Sequence, residues 1–211
     1  MPGKVIAIGL NYKDHAAEAN VPLPERPVIF TKWTTSLIGN GETILIHKDV
    51  TQIDWEAELA VVIGKKASHV SEAEALNYVS GFTCMNDVTD REAQSKDGQW
   101  VRSKSYDTYG PIGPRVVPLS EIGDPHNLKI EARLNGKTVQ SSNTKNLIFS
   151  IPYLISYISA RCTLEAGDVI TTGTPHGVGA FLKPPVFMKD GDIIEIEIEK
   201  IGILRNPVKA E

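Results

Sequence analysis

The sequence predicts one α+β domain over residues 1–211 in which β-sheet dominates. Most apolar residues fall in short β-branched runs separated by Gly, Pro, Asn and Asp, which is typical of strands and turns. Only residues 148–161 place apolar side chains at the spacing of an amphipathic helix. A chain of this length can bury a full core, and it contains no internal repeat or interdomain linker.

Proline, glycine and helix-capping residues set the boundaries of the predicted elements. Ser71 and Glu74 have the spacing of a capping box, and Asn135-Gly136 is typical of a tight β-hairpin turn. We predict strands over residues 4–10, 28–32, 43–47, the run that contains Glu56, 81–87, 129–139 as a hairpin, 169–172 and 192–200. We predict helices over residues 11–20, 71–79 and 148–161, and a helix or turn over residues 90–100. A turn at residues 39–41 is expected to join the second strand to the third.

The composition favours a small-molecule substrate over a macromolecular partner. The formal net charge is −4 and no dense run of Lys and Arg occurs, so we expect neither nucleic acid nor a membrane surface as a partner. No stretch approaches the ~18 consecutive apolar residues of a membrane span, and the N-terminus lacks the apolar region of a signal peptide. We therefore expect a cytoplasmic protein. Cys84 and Cys162 lack the spacing of disulfide or zinc motifs, and we expect both to be reduced and in or near the core.

The most informative segment is residues 54–64, Asp-Trp-Glu-Ala-Glu-Leu-Ala-Val-Val-Ile-Gly. In a strand, Glu56 and Glu58 point to the same face, and the run after them is apolar on both faces, as in a strand covered on both sides. Buried carboxylates must be protonated, hydrogen-bonded or bound to a cation, because their desolvation is otherwise too costly. A divalent metal that prefers oxygen ligands meets this requirement. By contrast, the alternating Ile and Glu of residues 193–199 predict a half-buried strand with a solvated acidic face.

Three further segments favour a metal site, although each also has a plain structural interpretation. Asp87 follows an apolar strand, where a third carboxylate would complete a set of ligands, but such an Asp is also a common turn residue. Lys104 lies in a polar loop that would present its ammonium group either to an oxyanion or to solvent. The glycines of residues 173–179 would let backbone N–H groups approach a ligand.

His15 and Glu18 lie three residues apart on the predicted N-terminal helix and therefore share a face. A carboxylate that hydrogen-bonds an imidazole orients the ring and raises its basicity, which makes this pair a candidate general base for a water molecule. The alternative is a contact that only stabilises the helix. The residues alone leave both interpretations open.

Five motifs follow one another in a characteristic order along essentially the whole chain. They are Gly9-Leu10-Asn11-Tyr12 with His15 and Glu18, Glu56-Ala57-Glu58, Asn86-Asp87-Val88-Thr89-Asp90-Arg91 with Gln94, Lys104-Ser105-Tyr106-Asp107, and Gly173-Thr174-Pro175. In this combination the chain resembles compact single-domain members of the fumarylacetoacetate hydrolase superfamily. These include acylpyruvate hydrolases, fumarylpyruvate hydrolases and 2-hydroxyhepta-2,4-diene-1,7-dioate isomerases. The resemblance implies layered, rolled β-sheets with peripheral helices, and a homodimer.

The same resemblance implies a role for each matching residue. By this resemblance Glu56, Glu58 and Asp87 would be the metal ligands, and His15 with Glu18 would be the general base on a lid that covers the substrate. Lys104 would orient the substrate or stabilise an oxyanion. Substrate carboxylate or keto oxygens would be bound by Arg91, Gln94 and Thr174. The implied metal is Mg2+ or Mn2+, with Ca2+ as an alternative. The implied substrate is a small 2-oxo or β-diketo acid.

The expected activity is hydrolysis of a carbon–carbon bond in an acylpyruvate-type β-diketo acid, such as acetylpyruvate or fumarylpyruvate, to pyruvate and a carboxylic acid. A bound divalent metal stabilises the developing enolate, and His15 with Glu18 would activate the attacking water. Decarboxylation of oxaloacetate or isomerisation of a 2-hydroxy-dienoate at the same site is the alternative, because neither requires that water. A non-catalytic metal-binding structural dimer is a more remote alternative, since every motif position carries a chemically competent residue.

One segment departs from the family pattern. After the strand at residues 28–32, family members often have a Lys-Pro pair followed by Ser, whereas here Lys32 is followed by Trp33, Thr34, Thr35 and Ser36. Loss of the proline changes the rigidity of the loop, and we expect Trp33 to add bulk that reshapes the pocket.

Overall fold

A computed structural model describes residues 1–211 of the chain. The strands are β1 (Val5–Gly9), β2 (Val28–Lys32), β3 (Leu37–Ile38), β4 (Ile44–Ile46), β5 (Ile53–Asp54), β6 (Ala57–Ile63), β7 (Val79–Asn86), β8 (Thr89–Asp90), β9 (Gly110–Val117), β10 (Lys129–Leu134), β11 (Lys137–Asn143), β12 (Val169–Thr171), β13 (Ile193–Ile198) and β14 (Gly202–Ala210). The α-helices are α1 (Lys13–Glu18), α2 (Arg91–Lys96), α3 (Leu119–Ile122) and α4 (Ile151–Ser159). Short 3-10 helices cover Thr34–Ser36, Glu72–Tyr78, Thr144–Asn146 and Gly179–Phe181. With 36% of residues in strands and 19% in helices, the predicted β-dominated α+β class is confirmed.

Two sheets form most of the molecule. The larger has seven strands in the order β2-β1-β12-β6-β7-β9-β3, and the smaller has five in the order β11-β10-β13-β14-β4. β5 and β8 form a separate pair. β10 and β13 of the smaller sheet pack against β6 of the larger one, and β13 also packs against β7. The curled, layered sheets that the resemblance implies are therefore present.

Alternating side chains along β13 show how the core is closed. Ile194, Ile196 and Ile198 are buried in the main apolar cluster. On the opposite face the intervening glutamates, Glu195 and Glu197, form ion pairs with an arginine of the neighbouring strand β10. The predicted half-buried strand with an acidic outer face is therefore confirmed.

The predicted helices are present but shorter than the sequence indicates. α1 and α4 occupy the middle of the predicted ranges 11–20 and 148–161. The helix predicted over residues 71–79 is a 3-10 helix instead, and its capping box does not form. The Ser71 hydroxyl donates to the Glu74 carboxylate (3.2 Å) and caps no backbone N–H group.

Turn chemistry predicted one connection correctly and another wrongly. Asn135 (φ 51°) and Gly136 (φ 79°) form the tight turn between β10 and β11, with positive φ at both positions as such a turn requires. The glycine-rich turn at residues 39–41 does not join a hairpin. β2 pairs with β1 in the larger sheet, whereas β4 pairs with β14 in the smaller one.

Sequence reasoning missed the long strands β9 and β14. β9 contains Pro111 and Pro114, and β14 contains Pro207, and a proline argues against a strand because it cannot donate to the ladder. In β9 the pairing with β7 is irregular between Phe82 and Cys84. The shorter strands β3, β5 and β8 were also missed, since two residues carry no readable periodicity.

The two cysteines differ in environment. Cys84 is buried in the core as expected, whereas Cys162 is exposed. The prediction for Cys162 is wrong because α4 ends at Ser159, so Cys162 lies beyond the apolar face of that helix. None of the helices is both long and apolar enough to span a membrane.

His126 is expected to make the stability of the fold depend on pH. Its Nε2 accepts a hydrogen bond from the backbone N–H of Ile151 at the start of α4 (3.0 Å), which requires an unprotonated nitrogen. Burial lowers the pKa of His126 below its ordinary value, and Asp124 opposes this only in part. Because the unfolded chain binds this proton more readily, the free energy of unfolding should fall as the pH is lowered through about 6.5.

Replacing His126 by Gln keeps an acceptor for the Ile151 N–H group but removes the titration. We expect the free energy of unfolding, measured with urea, to fall more between about pH 7.5 and 5.5 in the wild type than in H126Q. Equal losses in the two proteins would contradict the role assigned to His126.

Candidate active site

The candidate site forms where the start of β6 meets the end of β7. The two strands are antiparallel neighbours, and Ala57 pairs with Asn86. Glu56 immediately precedes β6, Glu58 lies within it, and Asp87 immediately follows β7. The Asp87 N–H donates to the Glu56 carbonyl and the Glu56 N–H donates to Asn86 Oδ1, both at 2.9 Å. The three carboxylates are buried, and one oxygen of each lies within 4.8 Å of the others.

Strand β6 is covered on both faces, as its sequence predicts. Leu59 and Val61 belong to the main core, whereas Ala60 on the glutamate face packs in a second cluster. Glu56 lies just outside the strand, yet its carboxylate still meets that of Glu58. The carboxylates therefore have little access to bulk water and must be satisfied by neighbouring groups.

Glu58 accepts hydrogen bonds but forms no ion pair. Its Oε2 accepts from the Thr171 hydroxyl and from the Gly173 N–H (2.8 Å). Burial, together with the negative charges of Asp87 and Glu56, raises the pKa of Glu58 well above its ordinary value. A cation bound among these carboxylates would supply the positive charge that no side chain of the protein places in direct contact with Glu58.

Glu56 lies between two cations. Its Oε2 accepts from Lys104 Nζ (2.9 Å), and its Oε1 pairs with Arg91 Nη1 (2.7 Å). Burial acts to raise the pKa of Glu56, but Lys104 and Arg91 outweigh burial and lower it to about 2. Glu56 is therefore ionised near neutral pH, as an anionic ligand must be.

Lys104 points inward, so its interpretation as a solvated loop lysine is wrong. Its Nζ donates to Asp87 Oδ2 and to Thr89 Oγ1, both at 2.8 Å, as well as to Glu56. Burial acts to lower the pKa of Lys104, but Asp87 and Glu56 outweigh it and raise the pKa. The loop thus places a permanent positive charge beside the carboxylates, where it can face a substrate oxyanion.

Arg91, Gln94 and Thr174 supply polar groups to the same site. Arg91 Nε pairs with Asp54 (2.8 Å) and Nη1 donates to Gln94 Oε1 (3.0 Å). Arg91 Nη2 is buried and has no partner within the protein, so its donors remain for an anionic group. Thr174 Oγ1 accepts from Gln140 Nε2 (2.9 Å), which leaves its own proton to donate.

His15 and Glu18 form the predicted pair on α1. His15 Nδ1 lies 3.1 Å from Glu18 Oε2, and Glu18 Oε1 accepts from the Gly177 N–H (2.9 Å). Gly177 has φ 95°, and a Cβ there would overlap the backbone of β11. Asp14, next to His15, accepts from Asn146 Nδ2 (3.2 Å). The helix that carries His15 is therefore fixed to the glycine-rich loop and to the segment after β11.

A cavity of about 270 Å³ connects these groups. Seven of the nine predicted site residues line it, while Glu18 and Asp87 lie behind them as partners of His15 and Lys104. Trp100 forms part of the wall, with its ring against Gly9, where any Cβ would overlap it. The Trp100 ring also meets Phe30 edge-on, with 5.4 Å between ring centroids.

The profile of the family described as fumarylacetoacetate (FAA) hydrolase C-terminal matches residues 4–209. The chain belongs to this family. It is 48% identical over 208 residues to a rat protein named as a mitochondrial oxaloacetate tautomerase, covering 98% of this chain and 66% of that protein. Two solved structures are also similar over 100% of this chain. They are a 5-carboxymethyl-2-hydroxymuconate delta-isomerase from Mycobacterium smegmatis (TM-score 0.89, 42% identity, 80% of that chain) and a fumarylacetoacetate hydrolase from Exiguobacterium antarcticum (TM-score 0.93, 42% identity, 76% of that chain).

The donor set of this fumarylacetoacetate hydrolase family member suits a hard divalent cation. Glu56, Glu58 and Asp87 offer carboxylate oxygens only, which Mg2+, Mn2+ and Ca2+ prefer, and no His or Cys belongs to the cluster. The pKa of Glu58 is raised because burial and two neighbouring carboxylates act on a group with no positively charged partner. These three residues would hold the metal.

Sequence reasoning missed two groups that organise the site. Asp54 accepts from Arg91 and from the Gly179 N–H (2.7 Å), so it joins the candidate substrate-binding arginine to the glycine-rich loop. The second group is Lys32, which is buried and contacts Asp87. The sequence had instead pointed to its neighbour Trp33 as the residue that reshapes the pocket. The expectation for Trp33 is wrong, because it is exposed and does not line the cavity. The alternation along β2 carried no signal that its last residue points inward.

Replacement of Glu58 by Gln should remove divalent-metal binding, because a neutral amide replaces a buried anionic ligand of the same shape. Titration calorimetry with Mg2+ should show binding to the wild type and none to E58Q. Glu197→Gln, on the acidic outer face of β13, is the matched control and should bind Mg2+ as the wild type does. Unchanged Mg2+ affinity in E58Q would remove Glu58 from the ligand set.

Proposed function

We propose that this protein is a divalent-metal-dependent enzyme that interconverts the keto and enol forms of a small 2-oxo diacid, with oxaloacetate as its substrate. One observation carries the proposal. His15, which Glu18 holds from behind, lies on the wall of the same cavity that Glu56 and Glu58 line. A base placed beside groups that stabilise an enolate is the minimum machinery for moving a proton next to a carbonyl.

The residues of the cavity account for each requirement of this reaction. A divalent cation held by Glu56, Glu58 and Asp87 would supply a Lewis acid that favours the enolate. Because Nδ1 of His15 faces Glu18, Nε2 is the ring nitrogen left to take the proton from C3 of oxaloacetate. His15 then returns a proton to the oxygen on C2, which gives the enol with no change in composition.

The remaining groups bind and orient the substrate. Arg91, with its unpaired Nη2, would hold a substrate carboxylate, assisted by Gln94 and Thr174. Lys104 would stabilise the negative charge that develops on the oxygen at C2. Glu18 keeps His15 in one orientation and stabilises the protonated ring.

The dimensions of the cavity support a compact substrate. Its volume of about 270 Å³ is small for a ligand pocket, and Trp100, packed on Gly9, forms part of its wall. A four-carbon diacid fits within this space. The name of the rat relative, a mitochondrial oxaloacetate tautomerase, agrees with this choice of substrate.

Hydrolysis of an acylpyruvate is the second candidate, because the His15–Glu18 pair can equally activate water. In that case Nε2 of His15 would take a proton from a water that attacks the distal carbonyl. Decarboxylation of oxaloacetate breaks the bond between C3 and C4 and gives carbon dioxide and the enolate of pyruvate, so the base has no task before that bond breaks. We therefore rank decarboxylation below tautomerisation and hydrolysis.

The ultraviolet absorbance of the enol tests these activities in one assay. Enzyme with Mg2+ should accelerate relaxation of the oxaloacetate enol band beyond an EDTA-treated sample, without release of carbon dioxide. His15→Gln should slow this by ~10²–10⁴-fold and leave Mg2+ affinity unchanged. His47→Gln, which changes a half-buried histidine outside the cavity, should not change the rate.

Other outcomes of the assay select other reactions. Metal-dependent loss of the acetylpyruvate enol band with formation of pyruvate, and no effect on oxaloacetate, would replace tautomerisation by hydrolysis. Full activity of H15Q on oxaloacetate would refute His15 as the base.

We further propose that the protein is a homodimer, as the family resemblance implies, and that it works in the cytoplasm. Support comes from β2, an edge strand of the larger sheet on which Val28 and Ile29 are exposed. Ile29, Tyr153 and Tyr157 also line an open groove with mostly apolar walls. Pairing with a second copy would cover this surface.

Sedimentation equilibrium should therefore give a mass twice that of the 23.1 kDa chain. Ile29→Asp should shift the protein toward the monomer, because it places a charge in the apolar surface. A monomeric wild type at micromolar concentration would contradict the dimer.

A further inference from the structure

Lys32 is a buried lysine that the proposed reaction does not use. It is the last residue of the edge strand β2, and its side chain has no exposed surface. Its Nζ donates to Asp87 Oδ1 (2.6 Å) and to the backbone carbonyl of Lys104. The contacts of this single ammonium group thus join one candidate metal ligand to the segment that carries the candidate oxyanion-binding lysine.

We propose that Lys32 is a positioning residue for the metal centre, which holds Asp87 in its ligating orientation and fixes the backbone from which Lys104 projects. The inference depends on the proposed metal site but not on which reaction the site performs.

The two oxygens of Asp87 have separate partners. Oδ1 is held by Lys32 and Oδ2 by Lys104. Rotation of the carboxylate would break both contacts, so the two lysines fix the orientation of Asp87 from both oxygens. A carboxylate that must give one oxygen to a cation benefits from having the other held firmly in place.

The Lys104 segment depends on the same group. Residues 97–109 form turns rather than a regular element, so few ladder hydrogen bonds fix them. The Lys104 carbonyl is held by Lys32 Nζ, and the hydroxyl of the next residue, Ser105, accepts from the Trp33 N–H (3.0 Å). The end of β2 therefore anchors this segment through two adjacent residues.

Two possible roles of Lys32 predict opposite changes in cation affinity when the residue is replaced. If Lys32 acted only through its charge, its removal would strengthen cation binding, because a nearby positive charge repels a metal. If Lys32 acts by positioning, its removal would weaken cation binding, because only the contact of Lys104 with Oδ2 would then hold Asp87. The direction of the change in affinity therefore distinguishes the two roles.

Lys32→Met is the informative variant, and Lys4→Met is its matched control. Lys4 is adjacent in sequence to Val5, which pairs with Lys32 across β1 and β2. Lys4 also pairs with a buried carboxylate, Asp168, but it does not line the cavity. Both variants remove an ammonium group from a buried aspartate at the same end of these strands, and only one of them touches the site.

Binding of Mn2+ is measured by the electron paramagnetic resonance signal of the free ion, without substrate. We expect K32M to bind Mn2+ about 10–100-fold more weakly than the wild type, and K4M to bind it equally well. Lys32→Arg, which keeps charge and donors, should recover part of the affinity.

Equal or tighter Mn2+ binding by K32M would overturn the proposal, as would equal weakening in K4M. If K32M does not fold, Lys32→Gln gives the same comparison, since its shorter amide cannot satisfy both acceptors. Absence of Mn2+ binding by the wild type would refute the metal site and this inference together. Normal Mn2+ binding without turnover of oxaloacetate would refute only the proposed reaction.

Discussion

Burial of several carboxylates at one end of two neighbouring strands is the constraint on which the rest of the site depends. Glu56, Glu58 and Asp87 cannot remain charged and unpartnered there, because desolvation would cost more than the fold can supply. The structure answers with Lys104 and Arg91 beside Glu56, and with Lys32 beside Asp87. Glu58 alone receives no cation from the protein, and a metal held by the three carboxylates would supply that positive charge.

The same constraint explains why distant segments converge on this point. The glycine-rich loop contributes the Gly173 N–H to Glu58, the Gly177 N–H to Glu18 and the Gly179 N–H to Asp54. One loop therefore contacts a candidate metal ligand, the partner of the candidate general base and the partner of Arg91. Relative positions of these groups are set by backbone donors, which vary less than side-chain rotamers do.

The sequence predicted which side chains meet at the site better than it predicted the path of the chain. Alternation revealed the carboxylate pair and the acidic outer face of β13, because both depend on the local period of a strand. β9 and β14 escaped detection because their prolines look like turn residues, and pairing across the sheets compensates for them. Lys32 and Asp54 were missed for a different reason. Their roles depend on contacts with residues far away in the chain, at Asp87 and Gly179, and no local pattern encodes such contacts.

A stabilised enolate is common to tautomerisation, decarboxylation and carbon–carbon hydrolysis, so the metal ligands cannot select among them. Selection must come from groups that touch the rest of the substrate. In this chain the candidate groups are Trp100, which forms part of the cavity wall against Gly9, and His15, whose task depends on whether a carbon acid or a water lies beside it. Trp100 lies on a turn segment and His15 on α1, both outside the paired strands. The same sheet can thus keep the enolate chemistry constant while neighbouring segments change which bond is made or broken.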